Sequence, residues 1–192
     1  MISGVANKVT NSNGAIVMGA GNSIKNSSAA FDTSAYSTPY NSVATMQKAL
    51  MDGVARSAGG STLAVGGANA AEYTQASQLI GVGNTLTGKS GNVSKYNMLD
   101  GYKNKASNVQ HVSVIGSENN VTNTNGAVVF GDKRTLTGAD GSIVIGSSAN
   151  GTATSVKNAV AIGSETNVTK AGGVALGAGS VASVDKGAVG YD

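Results

Sequence analysis

Short apolar runs recur along the chain, each closed by a glycine and followed by a stretch of Asn, Ser, Thr and Gly. The closing glycines are Gly4, Gly19, Gly66, Gly81, Gly116, Gly131, Gly146, Gly163 and Gly177, at spacings of 15, 47, 15, 35, 15, 15, 17 and 14 residues. A fixed period of this length marks a repeat architecture, here a unit of about 15 residues with two long interruptions. The residue just before the anchor is apolar in eight of nine units: Met18, Val65, Ile80, Ile115, Phe130, Ile145, Ile162 and Leu176. Three before it stand Ile16, Leu63, Val128, Ile143, Val160 and Val174, with Gln78 and Ser113 as exceptions. Five after it come Val9, Ile24, Leu86, Val121, Leu136 and Val168.

A strand alternates its side chains, so the residues three and one before the glycine share a face. This predicts that those two columns, with the column five after, line an interior. The intervening column is apolar too: Val17, Ala64, Leu79, Val114, Val129, Val144, Ala161 and Ala175. Strands apolar on both faces are normally buried on both. One coil of about 15 residues buries only one face against itself, which predicts an obligate oligomer. Val17, Val114, Ile115, Val129, Phe130, Val144, Ile145, Ile162 and Leu176 are the expected roll core and subunit contact. The polar segments read as corners, where 19 Asn and the glycines supply left-handed backbone. The expected fold is all-β, a parallel β-solenoid with coils about 4.8 Å apart. It forms one domain over 1–192, with coils in 1–26, 61–87 and 111–192.

Two insertions break the period. In 27–60, Val43, Met46, Leu50 and Val54 recur at helical spacing behind a potential cap at Ser42, predicting a short amphipathic helix. An apolar stripe of this kind is expected to pack on the roll or on a neighbouring subunit, with a receptor-contacting arm as the other reading. The second insertion, 88–110, reads as a basic loop: Lys89, Lys95, Lys103 and Lys105 stand against Asp100 alone, with Tyr96 and Tyr102 among them. Cations beside aromatic faces suit anionic glycans, acidic protein surfaces or nucleic acid, and these six residues are the candidate ligand site.

Composition narrows the function classes. The 192 residues include no Cys, no Trp, one Pro, one His and 28 Gly, and 12% are charged, with a formal net charge of +3. Disulfide, thiol-redox and Cys-based metal sites are excluded. Val, Ile, Leu and Phe make up about one fifth of the chain, at the edge of foldability. The low net charge does not add to the case for disorder. No run approaches the roughly 18 apolar residues of a membrane span. The N-terminus lacks the basic start and apolar stretch of a signal peptide. Repeat-like sequence directly after Met1 is expected of one part of a longer protein.

The repeats NAVAIGSETNVT (158–169), GSIVIGSSAN (141–150) and GGVALGAGSVA (172–182), with the closing SVDKGAVGYD (183–192), resemble the head repeats of trimeric autotransporter adhesins of the YadA type. The resemblance covers the repeat units and not the insertions. It implies a left-handed parallel β-roll in each of three chains around a threefold axis, non-catalytic and without cofactor or metal, at the tip of a bacterial surface fibre. It also implies a neck, stalk and outer-membrane anchor outside this sequence. Partners implied are a host extracellular-matrix protein, an epithelial receptor, a glycan or a partner bacterium's surface, and neither nucleic acid nor nucleotide.

Other motifs carry less. Gly83 to Ser90 fits G-x-x-x-x-G-K-[ST], but a phosphate loop needs a helix starting at its Lys, and GNVSKYN is poor helix material. Asn26, Asn92, Asn120, Asn150 and Asn167 begin Asn-x-Ser/Thr triplets, which Asn- and Thr-rich corners generate by composition. His111 is expected at a corner or surface. Glu118 and Glu165 each fall two after an anchor, three coils apart, too far for an acid/base pair. A polysaccharide-cleaving tail-spike-like enzyme is the alternative function, requiring carboxylates clustered on one groove. An ice-binding solenoid would need a flat rank of Thr, and no such rank is evident in the sequence.

Overall fold

A computed structural model describes residues 1–30, 42–57 and 60–185. The chain winds as a parallel β-solenoid with one helix, Val43–Ser57. Ten strands stack in one sheet: Ile2–Val5, Ile16–Ala20, Leu63–Gly67, Gln78–Val82, Met98–Tyr102, Ser113–Ser117, Val128–Phe130, Ile143–Ile145, Val160–Ile162 and Val174–Leu176. Eight shorter strands, from Lys8–Thr10 to Ala153–Thr154, stack in a second sheet. All pairings between these strands are parallel, and the glycine anchors lie opposite one another from coil to coil, as in Gly19 on Gly66 and Gly66 on Gly81.

Each coil turns at corners that take left-handed backbone. One corner falls two residues after the anchor, at Ala6, Ala68, Lys103, Glu118, Lys133 and Glu165. A second holds Asn11, Asn26, Tyr73, Asn108 and Asn123, and a third Ser61, Ala76, Tyr96, His111 and Asn158. Asn therefore serves only five of these sixteen non-glycine positions. Side chains that normally avoid this region are held there by the paired strands on either side.

The interior corrects the predicted facing. The buried column is the one two before the anchor: Val17, Ala64, Leu79, Leu99, Val114, Val129, Val144, Ala161 and Ala175. Residues three and one before it face outward, and Phe130 is 54% and Leu176 70% exposed. Of the expected core, Val17, Val114, Val129 and Val144 lie inside, while Ile115, Phe130, Ile145, Ile162 and Leu176 lie on the outer face. Side-chain volume is the reason: the inner column holds Ala and Val with nothing larger than Leu, whereas the outer columns carry Met18 and Phe130. At this column, where coils stack Ala, Val and Leu closely, the larger side chains would overpack the interior. The column five after the anchor is interior as expected, with Ile24, Leu86, Val121, Leu136 and Val168.

A buried asparagine ladder runs three residues after the anchors through Asn22, Asn69, Asn84, Asn104 and Asn119. Asn104 shows the geometry. Its Nδ2 donates to Asn84 Oδ1 at 3.1 Å and to the Gly116 carbonyl at 2.7 Å, and its Oδ1 accepts from the backbone N–H and Nδ2 of Asn119 at 3.2 and 2.9 Å. The ladder clamps the corner carbonyls of successive coils where the glycine turn breaks the strand ladder. Asn104→Ala would leave two donors of Asn119 and the Gly116 carbonyl without this partner, at about 1–3 kcal/mol for each buried group. Urea unfolding should show a loss of roughly 3 kcal/mol or more, against less than about 0.5 kcal/mol for the exposed Asn120→Ala.

Both interruptions are smaller structural events than their length suggests. The strand Ile16–Ala20 pairs directly with Leu63–Gly67, so the first insertion leaves the roll and returns without breaking its stack. The second is mostly not a loop. Met98–Tyr102 pairs with Gln78–Val82 and Ser113–Ser117, and Lys105–Ser107 pairs with Thr85–Thr87 and Asn120–Thr122. Gly101 is a tenth anchor, and only a short turn, closed by mutual hydrogen bonds of Lys89 and Asn92, is inserted. The unit escaped the pattern because Asp100 occupies the position before the glycine. That position faces outward and tolerates a charge.

Candidate functional site

The six residues expected to form one basic binding loop are distributed around a coil. Lys89 sits in the inserted turn, Lys95 on the short third side of the roll, and Tyr96 at the third corner. Tyr102 and Lys103 occupy the first corner and Lys105 the outer face of the eight-stranded sheet. Two groups result. In the first, Lys103 Nζ lies 4.8 Å from the Tyr102 ring centroid, and a hydrogen bond to that side chain, followed by nearby Glu118, holds the lysine above its ordinary pKa. Lys103 and Lys105 border a shallow cleft with Glu118, Asn119 and Asn120. In the second, Tyr96 stacks on His111 with centroids 4.9 Å apart and planes 28° from parallel. His111 is thus a corner residue, as its place before Val112 suggested.

The first corner is a ladder of alternating charge, Lys103, Glu118 and Lys133, each two residues after its anchor. Glu165 lies further along the same corner. Its carboxylate accepts from the Ala149 N–H, from Ser148 Oγ at 2.9 Å and from Thr152 Oγ1 at 3.2 Å. These bonds hold its pKa below the usual carboxylate value and pin the extra residues of the 17-residue coil. Glu118 and Glu165 decorate different coils.

One buried residue was missed from the sequence altogether. Arg134 takes the ladder position after Asn119 and is 0% exposed. Its backbone N–H donates to Asn119 Oδ1 at 2.9 Å, and its Nη2 donates to the Thr166 carbonyl at 2.7 Å, two coils on. Burial lowers its pKa, opposed by the field of Glu165. The signal was present: Asn follows the anchor by three residues in five of the nine units, and Arg134 is where that column changes.

The phosphate-loop-like segment contains the strand Thr85–Thr87 followed by the turn at Lys89, and no helix starts there. Thr87, Ser107, Thr122 and Thr137 do align as a hydroxyl rank on the eight-stranded sheet. It was hidden by the missed coil. Its companion column reads Thr85, Lys105, Asn120, Thr135, and the paired Lys25 and Glu72 stand on the preceding strands, so the rank is short and interrupted by charge. Among the described residues no group of three or more His, Cys, Asp or Glu side chains gathers as a metal site, and no helix is long and apolar enough to cross a membrane.

No protein-family model, curated protein or solved structure matches the chain. The functional reading therefore rests on the repeat sequence and on surface chemistry.

The outer face of the ten-stranded sheet is a further surface feature. Ile16 and Met18 continue into Leu63 and Val65, and after three coils that each carry a polar residue the face resumes with Val128, Phe130, Ile143, Ile145, Val160, Ile162, Val174 and Leu176. Eight apolar side chains on four successive coils form a contiguous patch of the kind that marks interaction surfaces. The helix Val43–Ser57 also keeps Val43, Met46, Leu50 and Val54 exposed, so among the described residues the roll does not cover this stripe. Residues 31–41, 58–59 and 186–192, the last within the closing SVDKGAVGYD, lie outside the described residues.

Proposed function

We propose that the chain is the head of a bacterial cell-surface adhesin, a homotrimer of left-handed parallel β-rolls that attaches to host matrix or epithelial receptors, to glycans or to other bacteria. The observation that carries this reading is the outward apolar face from Val128 to Leu176, on strands whose other face is already buried. Such a face calls for a protein partner. A heterologous contact that closes into a threefold ring covers it on every subunit without leaving an open end. The same assembly offers a covering surface for the exposed stripe of the helix. Repeats resembling YadA-type heads favour the trimer, the adhesive role and a location at the bacterial surface.

Trivalent display lets weak contacts add up. On this reading Lys103 and Lys105, open beside Tyr102, engage acidic surfaces. The test pairs two measurements on the chain. Sedimentation should give a species three times 18.8 kDa at micromolar concentration. Beads coated with it should attach to matrix proteins, epithelial cells or bacteria. The double substitution Lys103→Ser and Lys105→Ser should lower attachment severalfold and flatten its dependence on salt. A folded monomer would overturn the trimer. Release of reducing ends from surface polysaccharides, with no attachment, would replace the adhesin by the enzymatic alternative.

A further inference from the structure

The third side of the roll carries a second group of side chains that the lysines do not account for. Between the second and third corners each coil contributes a short extended stretch, and Lys95, Gln110 and Asn125 are aligned on successive coils. Next to this column lies a depression of about 230 Å³ lined by Asn92, Val93, Asn108, Val109, Gln110, Asn123 and Asn125. The inserted turn supplies Asn92, so the depression exists because the repeat is interrupted there. A regular coil would run past it.

Five of its seven lining residues carry carboxamides, and the other two are Val93 and Val109. No charged side chain lines it. Asn108 Nδ2 is tied to Asn123 Oδ1 at 3.2 Å, which fixes one wall. The side-chain amides of Asn92, Gln110 and Asn125 make no hydrogen bond with the described residues. Each presents two donors and a two-lone-pair acceptor. Asp140, the carboxylate one coil beyond, is occupied by Lys157 at 2.9 Å and by the backbone N–H of Asn125 at 2.9 Å. The adjoining third corner holds the stacked Tyr96 and His111, both exposed. The corner above His111 is Gly126, where even a Cβ would meet nothing within 4 Å, and the corner below Tyr96 is Ala76. The aromatic pair therefore forms a step whose outer ring faces are flanked only by small residues.

We infer that this amide-lined depression and its aromatic step form a binding site for a neutral saccharide. Vicinal hydroxyls are donors and acceptors at once, and free carboxamides match them in pairs without the desolvation cost of a charge. The apolar face of a sugar ring packs on Tyr96 or His111 as other amphipathic groups pack on aromatic rings. An anionic glycan would find no cation among the lining residues, and an apolar peptide would leave the amides unpaired. The site names a ligand class for the adhesive reading and rests on that reading only for its biological use.

The experiment is a microarray of neutral hexose and N-acetylhexosamine oligosaccharides beside sialylated and sulfated ones, probed with the chain, followed by calorimetry on the best neutral binder. Expected is neutral-saccharide binding that changes little between low and high salt. Gln110→Ala combined with Asn125→Ala should weaken it at least tenfold, and Tyr96→Ala similarly, with the β circular-dichroism signal unchanged. Absence of neutral binding at millimolar ligand overturns the inference. So does binding that survives both variants, or binding confined to anionic glycans. Bead attachment separates the two readings. If attachment persists in the Gln110/Asn125 variant and falls in the Lys103/Lys105 variant, the saccharide site fails while the adhesin stands. If saccharide binds but no surface is attached, the adhesin fails while the site stands.

Discussion

Gly116→Ala should cost more than about 4 kcal/mol and in practice leave the chain without a cooperative unfolding transition. Two independent penalties meet at this residue. Its φ of 135° lies in a region that L side chains rarely adopt, at roughly 1–3 kcal/mol. An added Cβ would also sit 1.9 Å from the Gly131 carbonyl oxygen, and that oxygen belongs to the paired backbone of the next coil. Nothing flexible is available to yield, so the coils must part, and with them the ladder joining Asn104 to Asn119. The anchor column repeats this contact, with Gly19 against Gly66 at 1.8 Å and Gly101 against Gly116 at 2.0 Å. The control is Gly126→Ala, which meets nothing within 4 Å and carries only the cost of its φ of 65°, about 1 kcal/mol. Thermal and urea unfolding of the two variants should differ by at least about 3 kcal/mol. Equal stability would mean that the anchors are not in close backbone contact.

The second large effect concerns the outer apolar face. Phe130→Lys with Ile145→Lys places two ammonium groups on adjacent coils, since Phe130 and Ile145 are partners in register. Both side chains point away from the core, at 54% and 38% exposure, so the single-chain roll loses little. An assembly covering this face loses the burial of two large apolar groups per subunit, roughly 1.5–3 kcal/mol each. It also acquires like charges without partners. Sedimentation should report monomer at micromolar concentration, with the β-rich circular-dichroism spectrum retained. Val129→Lys, one position away and fully buried, should instead unfold the roll. If the double variant kept the mass of the wild type, another surface would have to hold the subunits.

Much of this could be read along the chain. Because the coils stack in register, their anchors recur at about 15 residues, and the columns around Gly116, Gly131 and Gly146 gave the parallel solenoid directly. The helix was legible from Val43, Met46, Leu50 and Val54. Two features were hidden for a common reason, that outward positions constrain sequence weakly. Asp100 stands where eight of the nine other units carry an apolar residue, so a complete coil passed for a basic loop, and six ligand candidates passed for neighbours. Facing was hidden because Val129 and Phe130 are both apolar, and alternation alone gives two faces without saying which is inside. The volumes of Ala64, Ala161 and Ala175 beside Phe130 and Met18 held that answer.

The sequence by itself determined the repeat, its strand and corner order and the presence of a second apolar face, because backbone pairing between identical coils forces side chains into columns. Only the tertiary structure decided which column is enclosed, since that depends on how much volume a closed coil leaves inside it. It alone turned Asn104 and its equivalents from corner residues into an internal ladder. The same winding separated Lys95 and Tyr96 from Lys103 and Lys105, because a coil that turns at three corners sends residues a few positions apart to different sides of the roll.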